Sequence, residues 1–89
     1  MYKRRDSLSI LFDLKLRFID DILKEIESEI RTTRRYPKES IMRDKGYVLV
    51  DVEVFKDYLF YRKLLKSEAG RKKVPPFKDN QYKYLDAVQ

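Results

Sequence analysis

Six apolar residues, Phe12, Leu16, Ile19, Leu23, Ile26 and Ile30, follow one another at spacings of 4, 3, 4, 3 and 4. On an α-helix that alternation lines up all six side chains on one narrow stripe, the seam of a coiled coil or helix bundle. Beside the stripe, Asp13, Asp20 and Glu27 each precede a base, Arg17, Lys24 and Arg31, by one helical turn. This is the favourable order for ion pairs along a helix, worth about 0.2–0.5 kcal/mol per pair. The two patterns use different residues and agree on one register. They predict a single heptad helix over residues 7–35, roughly 40 Å long at 1.5 Å per residue. Asp6 or Ser7 can cap its start, and the Tyr36-Pro37 step ends it, because a residue before proline is pushed out of the α region.

A second apolar set, Leu8, Ile10, Leu11, Leu14, Phe18 and Ile22, makes the front of this helix apolar nearly all round. Such a helix needs cover on more than one side. Either the rest of the chain folds over both faces, or a second copy or another protein covers one of them. The expected arrangement is a homodimer or a protein partner bound through the first helix, with Leu11, Leu14, Phe18 and Ile22 as the interface.

Downstream, Ile41-Met42-Arg43 and Tyr47-Val48-Leu49-Val50 flank the turn signal Asp44-Lys45-Gly46, which reads as a β-hairpin over residues 40–50. A lone two-stranded ribbon is marginal, so it has to pack on a helix. Asp51 is placed to cap a second helix, which should run to about Glu68 and end near Gly70. On that helix Val54, Tyr58, Tyr61 and Leu65 share one face, whereas Phe60 and Leu64 point the other way. Asn80 to Val88 can form one last short helix, or the tail can lie extended. The fold class is therefore mainly α with a small β-hairpin (α+β): long N-terminal helix, β-ribbon, second amphipathic helix, extended or briefly helical tail. It forms one domain over residues 1–89, with a basic arm at 1–6, the long helix at 7–35, the hairpin at 40–50, the second helix at 51–69 and the tail at 70–89.

The run from Gly46 through Tyr-Val-Leu-Val-Asp-Val-Glu-Val-Phe-Lys-Asp-Tyr-Leu-Phe-Tyr-Arg-Lys-Leu to Leu65 resembles the wing strand and following helix of phage excisionases and related winged helix-turn-helix proteins. The resemblance covers about twenty residues. Upstream the chain departs from that family. Where two short helices with a tight turn should stand, the sequence reads as one long heptad helix, which removes the recognition helix. The short, basic, cysteine-free, lysine- and tyrosine-rich character also resembles small proteins of phages and mobile elements.

The chain has no histidine and no cysteine. Disulfides, zinc-thiolate sites, imidazole bases and cysteine nucleophiles are thereby excluded. Its two glycines, Gly46 and Gly70, lie too far apart for a phosphate-cradling loop. Paired carboxylates such as Asp20-Asp21 or Glu25 and Glu29 sit on a helix that already uses acids along its flank. A non-enzymatic protein without metal or cofactor is expected. No apolar run is long enough to span a bilayer, no signal peptide is expected, and the composition fits the cytoplasm.

The net charge of +6 is segregated. Arg31, Arg34, Arg35 and Lys38 stand at and just past the end of the long helix, and Arg62, Lys63, Lys66, Arg71, Lys72 and Lys73 at and just past the end of the second. Clustered cations in a small domain are the footprint of nucleic-acid binding. The candidate contacts to DNA or RNA are Arg31, Arg34, Arg35, Lys63, Lys66, Arg71, Lys72 and Lys73. Tyrosines beside cations, such as Tyr36 and Tyr47, could stack on bases, or they could be core. With the helices antiparallel, the two clusters would lie at opposite poles. The alternative reading is a protein-interaction module, an adaptor or inhibitor docking through the first helix, or a structural subunit of a larger assembly.

Overall fold

The computed structural model describes residues 1–77. The expected helical tail at 80–88 lies outside them. The order of elements is β1 (Tyr2–Arg4), α1 (Arg5–Phe12), α2 (Leu16–Thr32), a 3-10 turn at Lys38–Ser40, β2 (Ile41–Asp44), β3 (Tyr47–Asp51), α3 (Val52–Leu65) and α4 (Glu68–Arg71). The fold is mixed helix with a small three-stranded antiparallel sheet, in strand order β1-β3-β2.

The single long helix is corrected to two. Asp13 takes a left-handed backbone, φ 56°, and ends α1. Its N–H donates to the Ile10 carbonyl at 3.4 Å, and that of Leu14 donates to the Ser9 carbonyl at 3.0 Å. This pair of bonds satisfies the last carbonyls of α1 and turns the chain away. The Ser9 hydroxyl also donates to the Leu14 carbonyl. Aspartate is one of the few residues that tolerate this backbone, so no glycine or proline announces the break. The cap at Asp6 or Ser7 is corrected as well. Helix α1 starts at Arg5, with Arg4 in the N-cap position and no side-chain cap bond.

The basic arm is an edge strand. Tyr2, Lys3 and Arg4 pair with Asp51, Val50 and Leu49. The hairpin forms as read: Ile41 to Asp44 pair with Val50 to Tyr47, and Gly46 adopts φ 75° in the turn. Asp51 caps α3, its carboxylate accepting from the Glu53 N–H at 3.0 Å. Helix α3 stops at Leu65, not at Gly70. Ser67 caps a further short turn, α4, and Gly70 belongs to that turn. A Cβ on Gly70 would lie 2.6 Å from the Leu64 carbonyl oxygen; close approach, not a positive φ, explains the glycine.

Helices α1, α2 and α3 and one face of the sheet share a core centred on Leu8, Ile19, Ile22, Ile26, Val50 and Phe55, all fully buried. Each such aliphatic side chain contributes about 1.5–3 kcal/mol by leaving water. The seam contributes its middle: Ile19, Leu23 and Ile26 are buried, Phe12 and Ile30 pack at the margin, and Leu16 is exposed. Ile22, expected at an interface, is 0% exposed and belongs to the core. Leu14 and Phe18, also assigned to that interface, are half-buried against the core. Breaking the rod at Asp13 folds α1 against α2, and this covers a face that an unbroken helix would leave bare.

Candidate nucleic-acid interface

Helix α2 carries five acids, Asp20, Asp21, Glu25, Glu27 and Glu29. Four of them are held by arginines from other elements. On one flank Arg5 forks onto Asp20 at 2.6 and 2.9 Å, and Arg43 of β2 forks onto Glu27 at 2.8 and 2.9 Å. On the other flank Arg62 of α3 forks onto Glu25 at 2.8 Å through both nitrogens. Arg71 of α4 forks onto Glu29 at 2.9 and 2.7 Å. Two parallel N–H bonds to a carboxylate form the strong, geometrically defined kind of ion pair. The expected ladder of pairs along the helix, from Asp20 to Lys24 and Glu27 to Arg31, is therefore replaced: Asp20 and Glu27 face arginines outside α2.

The cross-links leave a distinct outward stripe on α2. Arg17, Asp21, Lys24, Ser28 and Arg31 recur at spacings of 4, 3, 4 and 3, opposite the buried Ile19, Ile22 and Ile26. Arg17, Asp21, Lys24 and Arg31 are exposed and make no ion pair with a described residue. Three cations against one acid make the stripe basic, although the helix as a whole is acidic. Along its sheet side runs a recess of about 350 Å³ lined by Arg5, Asp20, Lys24 and Arg43. It shares Arg5, Arg43 and Val48 with a second recess of about 420 Å³, which reaches Arg4, Gly46 and Tyr47 at the hairpin turn. Arg4 stacks on the Tyr47 ring at 5.3 Å.

The electrostatics follow from the forks. The Arg62 guanidinium, backed by the Tyr58 hydroxyl at 2.8 Å, outweighs partial desolvation and holds Glu25 at about 2, against an ordinary value of 4.5. Arg71 and the Thr33 hydroxyl lower Glu29 in the same way. Arg62 also lies over the Phe18 ring at 5.0 Å, so its stem covers apolar surface while its head reaches Glu25.

The eight cations read as candidate contacts divide into two groups. Arg35 bonds Asp57 at 2.9 Å and the Pro75 carbonyl at 3.0 Å, Arg71 is bound to Glu29, and Lys66 lies 3.6 Å from Glu25. Arg35 and Arg71 are thus fastened into the fold. Arg31, Arg34, Lys63, Lys72 and Lys73 are exposed and pair with no described residue. The two basic clusters meet in part: Arg71 comes beside Arg34 and Arg35, whereas Arg62 and Lys66 reach Glu25 in the middle of α2. The Arg71–Glu29 fork ties the end of α2 to the turn after α3, and Arg34, Arg35 and Arg71 line a common recess of about 280 Å³. Tyr36 and Tyr58 are core residues, with Tyr36 donating to Asp57 at 2.7 Å. Tyr2 and Tyr47 are exposed.

Arg17 and Lys24 escaped the sequence reading, which assigned both to the ladder. The cue available was their spacing with Ser28 and Arg31. Comparison with protein-family models, curated proteins and solved structures returns no match to this chain. Among the described residues no group of acids could hold a metal ion, and no helix is long and apolar enough to cross a membrane.

Proposed function

We propose that this is a small, basic, non-enzymatic nucleic-acid-binding protein of a regulatory or accessory kind, of the sort phages and mobile elements carry, working in the cytoplasm. One observation carries the reading: four acids of α2 are each occupied by an arginine from another element, so the outward stripe offers Arg17, Lys24 and Arg31. Two helices joined by the three-residue turn Asp13-Leu14-Lys15 have the form of a helix-turn-helix, in which the second helix lies in the major groove. A short turn between two helices is compatible with the winged helix-turn-helix resemblance and supports the reading. On this reading α2 faces the groove, and the exposed cations Lys63, Lys72 and Lys73 contact phosphates. Titration against short duplex and single-stranded DNA and RNA at two salt concentrations tests it. Binding should weaken steeply with salt; flat curves at low salt eliminate the proposal.

A second reading has its own support. Ile10 is 82% exposed and Leu11 57%, both at the end of α1, and Leu16 at the start of α2 is 41% exposed. An apolar group of this kind on a small protein suits a second copy of the chain or a protein partner. Leu11→Asp should then abolish partner binding or self-association while the fold survives. Intact association in Leu11→Asp removes this reading.

A further inference from the structure

Two described residues other than glycine hold a positive φ: Asp13 at 56° and Arg34 at 57°. Asp13 needs no special account, because aspartate is enriched in that region. Arginine is not. Arg34 stands just past the end of α2, where its own N–H closes the helix on the Glu29 carbonyl at 2.8 Å. Helix ends of this left-handed kind usually carry glycine, which meets no Cβ penalty there. The Arg34 side chain gives nothing back to the fold. It is exposed, and it makes no hydrogen bond or ion pair with a described residue. Its neighbour Arg35 does the opposite, bonding Tyr36, Asp57 and Pro75.

Arg34 also lines both recesses at this pole, one of about 300 Å³ with Arg35, Tyr36, Pro37 and Phe77, the other of about 280 Å³ with Thr33, Arg71 and Pro76. Arg31, three residues earlier, ends the outward stripe of α2. An unfavourable backbone held at an element end is a place to look for function, and here the strained residue presents a free guanidinium three residues past the last cation of the stripe. We infer that Arg34 is a contact to a nucleic-acid backbone phosphate, kept at a left-handed position that glycine would fill with greater stability. The inference rests on the nucleic-acid reading above and names the residue at the pole that carries it.

Binding and stability should therefore move in opposite directions on one substitution. Arg34→Gly should raise the melting temperature by roughly 2–8 °C. On a short duplex it should lower the slope of log affinity against log salt by about one, with a fall of about 3- to 10-fold in affinity at moderate salt. Arg34→Ala removes the charge and keeps the strain, so it should lower the slope equally without raising the melting temperature. Arg34→Lys keeps a cation and should stay near the parent slope. A slope unchanged in Arg34→Gly overturns the phosphate contact while leaving the nucleic-acid reading in place. A melting temperature that falls in Arg34→Gly overturns the trade of stability for binding. No salt-dependent binding by the parent protein overturns both the inference and the reading beneath it.

Discussion

Arg71 Nη2 lies 2.7 Å from Glu29 Oε2 across 42 residues of chain. The Glu29 side chain is 11% exposed, and Arg71 also donates to the Leu65 carbonyl. This one fork fastens α4 to α2 and brings Arg71 beside Arg34 and Arg35. Arg71→Ala should leave Glu29 largely buried without its partner and cost about 2–4 kcal/mol. Urea denaturation checks the loss. The double variant Arg71→Met with Glu29→Gln, which removes both charges, should recover most of it.

Glu25 predicts how stability depends on acid. Its folded value of about 2 lies below the ordinary 4.5. Its stabilising contribution is therefore complete above about pH 4.5 and disappears as the pH falls toward 2. Denaturant midpoints should decline through that window. In Arg62→Met, which removes the largest cause of the shift, the decline should be markedly shallower.

Ile22 and Leu11 separate core from surface. Ile22 is fully buried, whereas Leu11 is 57% exposed. Ile22→Ala should cost about 2–5 kcal/mol, enough to consume much of the stability of a domain this small. Leu11→Ala should stay within about 0.5–1 kcal/mol. Thermal melts of the two variants at low protein concentration, where association does not contribute, make the comparison.

Much of the fold is written locally. Asp51 caps a helix because its side chain reaches the Glu53 N–H two residues on, and Gly46 turns the hairpin because it accepts a positive φ. Both are visible in a window of a few residues, as is the burial of Ile19, Leu23 and Ile26 from their spacing. The break at Asp13 was hidden because the 3-4 repeat continues through it: Phe12 ends α1 and Leu16 begins α2, yet their spacing is that of one helix. Strand β1 carries no local signal either. Tyr2-Lys3-Arg4 becomes a strand only because β3 offers a free edge. The site was obscured for the same reason. Acids of α2 stand one turn from bases on the same helix, and only tertiary packing shows that Arg5, Arg43, Arg62 and Arg71 reach them instead. That exchange of partners frees Lys24 and Arg31, which lay in plain view as ladder rungs.

The outward stripe of α2 is the surface proposed to enter the groove, and a salt titration decides whether it does. Binding of a short DNA duplex should be measured at a series of salt concentrations for the parent protein and for Arg17→Ala/Lys24→Ala/Arg31→Ala. These three side chains make no contact that the core needs, so the triple variant should melt close to the parent. It should bind far more weakly, with a salt slope reduced by about 3. Superimposable binding curves for the two proteins, at equal fold stability, would mean that the stripe does not touch DNA.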